Sequence, residues 1–159
     1  MKYYGKKDIL LKLKKIFKEE DVIIVCIGTD KHVWDSLGPM VGSMLQDYNI
    51  KVYGNLNNPI TAINVEEIKE KIELIHPDSV IVAIDIAVTD NIEFNKKIYI
   101  REGGIKPGIG VGITDLSFIG DYSILYYVYK RDMNNERIRN PYNGALEVVK
   151  ILEYILDYE

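Results

Sequence analysis

Two aspartates stand where buried-looking chain gives way to polar turn. Asp35 lies in "IGTDKHVWDSLGP" (residues 27–39), just after the apolar run Val22–Ile27, and Asp85 closes the run Val80–Ile84. A carboxylate at the end of an apolar strand needs a partner or a task, because desolvating a charge is costly. Two such groups at one sheet edge can share a proton. The ionised one then activates water, and the one with the raised pKa hydrogen-bonds and polarises a carbonyl. Each aspartate also has a plain structural reading. Asp35, or Ser36 beside it, caps a helix with Pro39 in its first turn, and Asp85 anchors a loop through backbone amides.

The same turn holds Asp30 and His32, and Asp30-x-His32-x-x-Asp35 has donor types that suit zinc, nickel or iron. Spacing this loose is common by chance, so the expectation is a site without metal or cofactor. Trp34, next to Asp35, packs either against a substrate or into the interior. Gly103–Gly112 (GGIKPGIGVG) lacks the Lys-Ser/Thr ending of a phosphate-binding loop and does not follow the first strand, so a nucleotide site is disfavoured. Its bare backbone, Gly108 and Gly110 included, suits either a tight loop or close approach to an extended peptide. Asn57-Asn58-Pro59 forms a turn able to line the same cleft. His76-Pro77 follows a helical stretch, placing His76 near that helix's C-terminal dipole.

The elements that must position these groups follow from the hydrophobic pattern. Ile9, Leu10, Leu13, Ile16 and Phe17 predict an amphipathic helix opening at Asp8. Residues 22–28 (VIIVCIG) predict a strand buried on both faces. Leu37, Val41, Met44 and Leu45 predict a second helix, and 50–54 a second strand. Asn64 and Glu67 resemble a capping pair for a helix ended by His76-Pro77. Further strands are predicted at 79–85, 97–101 and 122–129. The last helix starts at Asn140-Pro141 and carries a stripe from Ala145 to Leu156. This alternation predicts a three-layer αβα fold with a largely parallel twisted sheet, in one α/β domain over residues 1–159. Ligands of such sheets sit beyond the carboxyl ends of the strands. That directs attention to 28–36, 54–62, 85–92 and 102–112, and to adjacency of the first and third of these strands.

With 159 residues the chain can bury a core without staples. Hydrophobic residues at 47% and charged residues at 28% argue against disorder, and a net charge of −4 leaves no basic footprint for nucleic acid. The lone Cys26 sits in an apolar run and reads as a buried thiol in a reducing compartment. The N-terminal stretch alternates charge with apolar residues, unlike a signal peptide, and no apolar run approaches the ~20 residues that span a bilayer. The expectation is a cytoplasmic protein with no membrane or nucleic-acid partner.

Taken in order, these motifs carry a resemblance. "IGTDKHVWDSLGPMVG", "VYGNLNNPITAIN", "VIVAIDIAVTD" and "KPGIGVG…FIGD" together resemble the YyaC-type sporulation proteins, related to the germination protease of spore formers and to hydrogenase maturation proteases. The likeness covers about residues 22–125. It implies a phosphorylase/hydrolase-like α/β fold and hydrolysis of peptide bonds by an aspartate pair that falls on Asp35 and Asp85. It also implies a protein or peptide substrate near Asp30, Trp34, Ser36, Asn58, Gly108 and Gly110, and a location in the forespore or spore interior; a homo-oligomer is compatible with it. The alternatives are a catalytically silent peptide-binding or regulatory sporulation protein of the same fold and a metal-dependent hydrogenase-maturation-type protease. Trp34 replaces the family's usual Gly, and Ile86-Ala87-Val88 its usual Ala-Cys-Leu.

Overall fold

The computed structural model describes residues 3–4, 7–108, 112–113, 115–135 and 137–157. Its strands are β1 (Tyr3–Tyr4), β2 (Val22–Cys26), β3 (Lys51–Tyr53), β4 (Val80–Thr89), β5 (Ile98–Glu102) and β6 (Tyr122–Tyr129). Its helices are α1 (Lys7–Glu19), α2 (Leu37–Met44), α3 (Val65–Ile75) and α4 (Arg139–Ile155), with a 3₁₀ turn at Trp34–Ser36 leading into α2. One sheet runs in the order β1-β5-β6-β4-β2-β3. Every neighbouring pair is parallel except β5 with β6.

The continuous apolar run of β2 explains its central place. Val22, Ile24 and Cys26 point into a core shared with α1, α2 and α4. Ile23, Val25 and Ile27 point into a second core with α3 and with Ile60, Ile105 and Ile119. All six of these β2-region residues are buried, as the period of two requires when helices cover both faces. The fold is therefore the expected α/β sandwich of helices around a largely parallel sheet.

Four local expectations need correction. β4 does not stop at Asp85 but continues to Thr89, paired throughout with β6; β-branched residues beyond the aspartate sustain the strand. β5 runs antiparallel to β6, so its end at Glu102 lies at the opposite edge from the ends of β2 and β4. Asn64 does not cap α3 with its side chain; its Oδ1 accepts from Thr61 N–H (2.8 Å) and its Nδ2 donates to the Pro59 carbonyl (3.1 Å). The last helix opens at Arg139, before Pro141, and Ile138 at its N-cap makes no side-chain bond.

Glycine backbone lets α2 close on the sheet. A Cβ at Gly38 would stand 2.0 Å from the Ile27 carbonyl oxygen, so the helix start abuts bare strand backbone.

Candidate active site

The chain leaves β2 through Gly28, whose φ of +138° favours glycine and whose position also excludes a side chain: a Cβ there would lie 2.0 Å from the Asp35 carbonyl oxygen. Two backbone bonds fix the turn. Gly28 N–H donates to the Ile60 carbonyl (2.8 Å), and Thr29 N–H donates to the Asp35 carbonyl (3.0 Å). Residues 30–33 thus form a loop tied at both ends, and Asp35 stands where it closes. Neither Asp35 nor Ser36 caps α2 through its side chain. Among the described residues, none hydrogen-bonds the Asp35 carboxylate.

Asp85 lies on β4 beside the end of β2, one step past the Cys26–Ile84 pairing. Along β4, Val82 and Ile84 enter the core of α1, α2 and α4, whereas Ala83 enters the core of α3 and Ala87 packs against it. Alternation therefore puts Asp85 on the α3 face. Its Oδ1 accepts the N–H of Ile86 at 2.8 Å.

Both aspartates are half-buried, and both carboxyls titrate high. Burial pushes Asp35 up, and the charge of His32 pulls part of the way back. Burial, followed by the negative charge of Asp35, pushes Asp85 well above the usual carboxylate range, against the pull of the Ile86 N–H. The expected adjacency of their strands is present, and the two groups are close enough for the charge of Asp35 to act on Asp85.

The other predicted site residues divide. Asp30 is exposed in the tied loop. Asn58 is exposed in a tight turn whose amides at Asn57 and Asn58 donate to Asn55 Oδ1 (2.9 and 2.8 Å). Gly108, with φ +82°, would set a Cβ 3.1 Å from that of Ala62. Although β5 ends at the far edge, the paired segments around Ile105 and Ile119 carry the chain back over α3. The glycine-rich loop thereby reaches the segment after β3 at Gly108; Gly110 lies outside the described residues.

Trp34 and Ser36 do not line a cleft. Trp34 is 2% exposed, stacks on Tyr126 with ring centroids 6.2 Å apart, and donates from Nε1 to the Asp132 carbonyl at 2.8 Å. Ser36 is buried and its hydroxyl donates to the Val33 carbonyl. Apolar ring area outweighed the polar neighbourhood of the loop. Among the described residues no group of three or more His, Cys, Asp or Glu gathers as a metal site, so Asp30, His32 and Asp35 do not converge. Cys26 is fully buried, and burial pushes its thiol far up, consistent with the inert reading. His76 ends α3 and shares a 3.1 Å hydrogen bond with the Tyr53 hydroxyl.

A positioning chain also emerges that the sequence alone did not expose. Asp132, whose carbonyl holds Trp34, accepts from Asn95 Nδ2 at 2.7 Å, and Asn95 Oδ1 accepts from Tyr129 N–H at 2.8 Å. The turn bearing Asp35 is thereby tied to the end of β6. Nothing in the sequence around Asn95 names these partners, which lie far along the chain.

Residues 3–154 match the model of a family described as a protein of unknown function (DUF1256). The chain is 36% identical over 106 residues to the uncharacterized protein YyaC of Bacillus subtilis (strain 168), an overlap of 65% of this chain and 51% of that protein. It thus spans about half the length of the curated relative it matches. Among solved structures, a NiFe hydrogenase maturation protease, HycI from Thermococcus kodakarensis KOD1, superposes with a TM-score of 0.52 at 14% identity. That superposition takes in 92% of this chain and 99% of the protease. At that identity the likeness is one of fold.

Proposed function

From the premise that the chain belongs to the DUF1256 family, we propose that it is a sporulation-associated peptidase that hydrolyses peptide bonds with Asp35 and Asp85. The observation that carries this reading is the pair itself: two half-buried carboxyls at one sheet edge, both raised, the deeper one by burial first and then by the charge of the other. A protease-like fold and the resemblance of the motif order support it.

The asymmetry of the pair assigns roles. Asp85 keeps its proton longer, and Asp35 ionises first. Asp35 takes a proton from a water, whose oxygen attacks the scissile carbonyl carbon, while Asp85 donates its proton to the carbonyl oxygen. Collapse of the tetrahedral intermediate returns a proton from that oxygen to Asp85. The proton on Asp35 passes to the departing amine, and both groups return to their starting states. No helix among the described residues is long and apolar enough to cross a membrane, and a cytoplasmic site of action, within the forespore or spore, belongs to the same proposal.

Bulk at Trp34 blocking access to the aspartates would favour a silent module of the same fold, but that ring lies in the core. The test is incubation of wild type, Asp35→Asn and Asp85→Asn proteins with extracts of spores, followed by mass spectrometry of new N-termini. Products present with wild type and absent with both variants are expected. Identical product sets from all three would overturn the proposal.

A further inference from the structure

β4 outruns the strand on one of its sides. β2 makes its last contact when Ile27 N–H donates to the Ile84 carbonyl (2.8 Å), and from Asp85 to Thr89 β4 pairs with β6 alone. The direction of each backbone group in this stretch can be derived. Val80 N–H donates to the Asp21 carbonyl and Ile84 accepts from Ile27, so even-numbered residues face β2. Ile81 exchanges bonds with Asp121, the residue before β6, so odd-numbered residues face β6. The register with β6 advances without interruption from Val82–Tyr122 to Thr89–Tyr129, leaving no bulge to reverse this alternation.

Ile86 and Val88 therefore turn their N–H and C=O groups toward the side where β2 has ended. The Ile86 N–H is taken by Asp85 Oδ1. Among the described residues, nothing hydrogen-bonds the Ile86 carbonyl, the Val88 N–H or the Val88 carbonyl, and Val88 is 51% exposed. Sheets normally blunt a bare edge with Lys, Pro or a bulge. The run Ile86-Ala87-Val88 has none of these.

We propose that this edge binds an extended polypeptide segment as an added strand, which sets one of its peptide bonds beside Asp85 and Asp35. An acceptor, a donor and a second acceptor at strand spacing are complementary to an extended backbone and to no helix, whose own backbone groups are spent. The edge begins at the residue whose N–H Asp85 holds, so a strand docked there runs directly past the carboxyl pair. Ala87, between the two edge residues, keeps the α3 face clear of bulk at that point. Recognition through backbone means that sequence preference comes only from alternate side chains of the bound segment. The peptidase reading of the pair gives the docked strand its purpose; the binding itself does not require cleavage.

The test uses a mixed-sequence library of twelve-residue synthetic peptides and the Asp85→Asn protein, which binds without cutting. Peptides retained on the immobilised protein are identified by mass spectrometry, and amide exchange of residues 86–89 is followed with the retained peptides added. Retention, with exchange at Val88 slowed tenfold or more, is expected. Adding Val88→Pro removes the free donor without breaking a ladder bond and should lower retention at least tenfold. Because that variant also changes the backbone, the retained peptides are resynthesised with alternate N-methyl groups and offered to the unaltered Asp85→Asn protein; they should not bind. Absence of retained peptides, equal binding of the N-methylated set, or protection confined to other segments would each overturn the proposal. If wild type and Val88→Pro cut the library equally, the edge fails and the peptidase stands; if peptides dock on the edge and wild type cuts none, the reverse holds.

Discussion

Asp85 titrates high through its burial and then through the charge of Asp35, which acts across the boundary between the turn after β2 and the middle of β4. The relation is one-sided in its consequences: Asp35 has His32 to favour its ionised form, and Asp85 has little beyond one N–H. On the proposed reading, an acid and a base arise from identical side chains by placement alone.

The first prediction concerns stability. A carboxyl whose folded pKa exceeds its unfolded value contributes stability at low pH that is lost as pH rises through the folded pKa. Above that point the wild-type protein carries the cost of a buried charge, which Asp85→Asn removes. The variant should melt several degrees higher near pH 8, since 1 kcal/mol moves Tm by roughly 2–4 °C at this length. The gap should close as pH falls toward 4. Calorimetry across that range checks it; a variant less stable than wild type at pH 8 contradicts the burial argument.

Hydrolysis should follow a bell. Activity falls on the alkaline side as Asp85 loses its proton and on the acid side as Asp35 gains one, with apparent values that belong to the pair. Removing either carboxyl should cost about 10²–10⁴-fold in rate, the usual size of general acid–base assistance. His32→Ala should shift the acid limb upward, because the charge that favours ionised Asp35 is gone. A steady-state pH profile on one cleaved peptide reads both limbs.

Trp34→Phe should be a stability variant. It keeps a ring against Tyr126 but loses the bond to the Asp132 carbonyl and part of the buried volume. A loss of about 1–3 kcal/mol is expected from an unpaired buried carbonyl and a smaller ring. Urea unfolding measures it. A loss near zero would mean that the ring does not occupy the core.

Gly38→Ala tests the closeness of α2 and β2. Its Cβ would meet the Ile27 carbonyl oxygen at 2.0 Å, and that atom is backbone that cannot swing away. A cost of about 3 kcal/mol or more is expected from overpacking of this kind. Gly103→Ala, where nothing lies within 4 Å, controls for loss of glycine alone, with allowance for its φ of +96°.

Much of this arrangement can be read before any coordinates. β2 is legible because VIIVC has apolar groups for both faces, and the right-handed winding rule then puts β4 next to it and Asp35 near Asp85. The direction of β5 is not legible, since KIYIR alternates identically whichever way it runs. The extension of β4 past Asp85 was hidden by the aspartate itself, which reads as a strand terminator until its carboxylate is seen holding the next N–H. Which of its two packings Trp34 takes is not legible for a different reason. Its partners, Tyr126 and Asp132, lie far along the chain, in the segment where motif order offers no guide. The Asn64 side chain shows the same limit at short range: one residue type serves equally as a helix cap or a loop brace, and only the position of Thr61 decides.

The clasp between Thr29 N–H and the Asp35 carbonyl is made of main chain on both sides. What lies between its ends is therefore free to diverge. Asp30, Lys31 and Val33 can be exchanged with the carboxyl pair left in place, whereas His32 acts on Asp35 through its charge. The backbone clasp separates a fixed carboxyl pair from a replaceable rim, and on the proposed reading new preferences can be grafted onto that rim, by mutation or by an engineer.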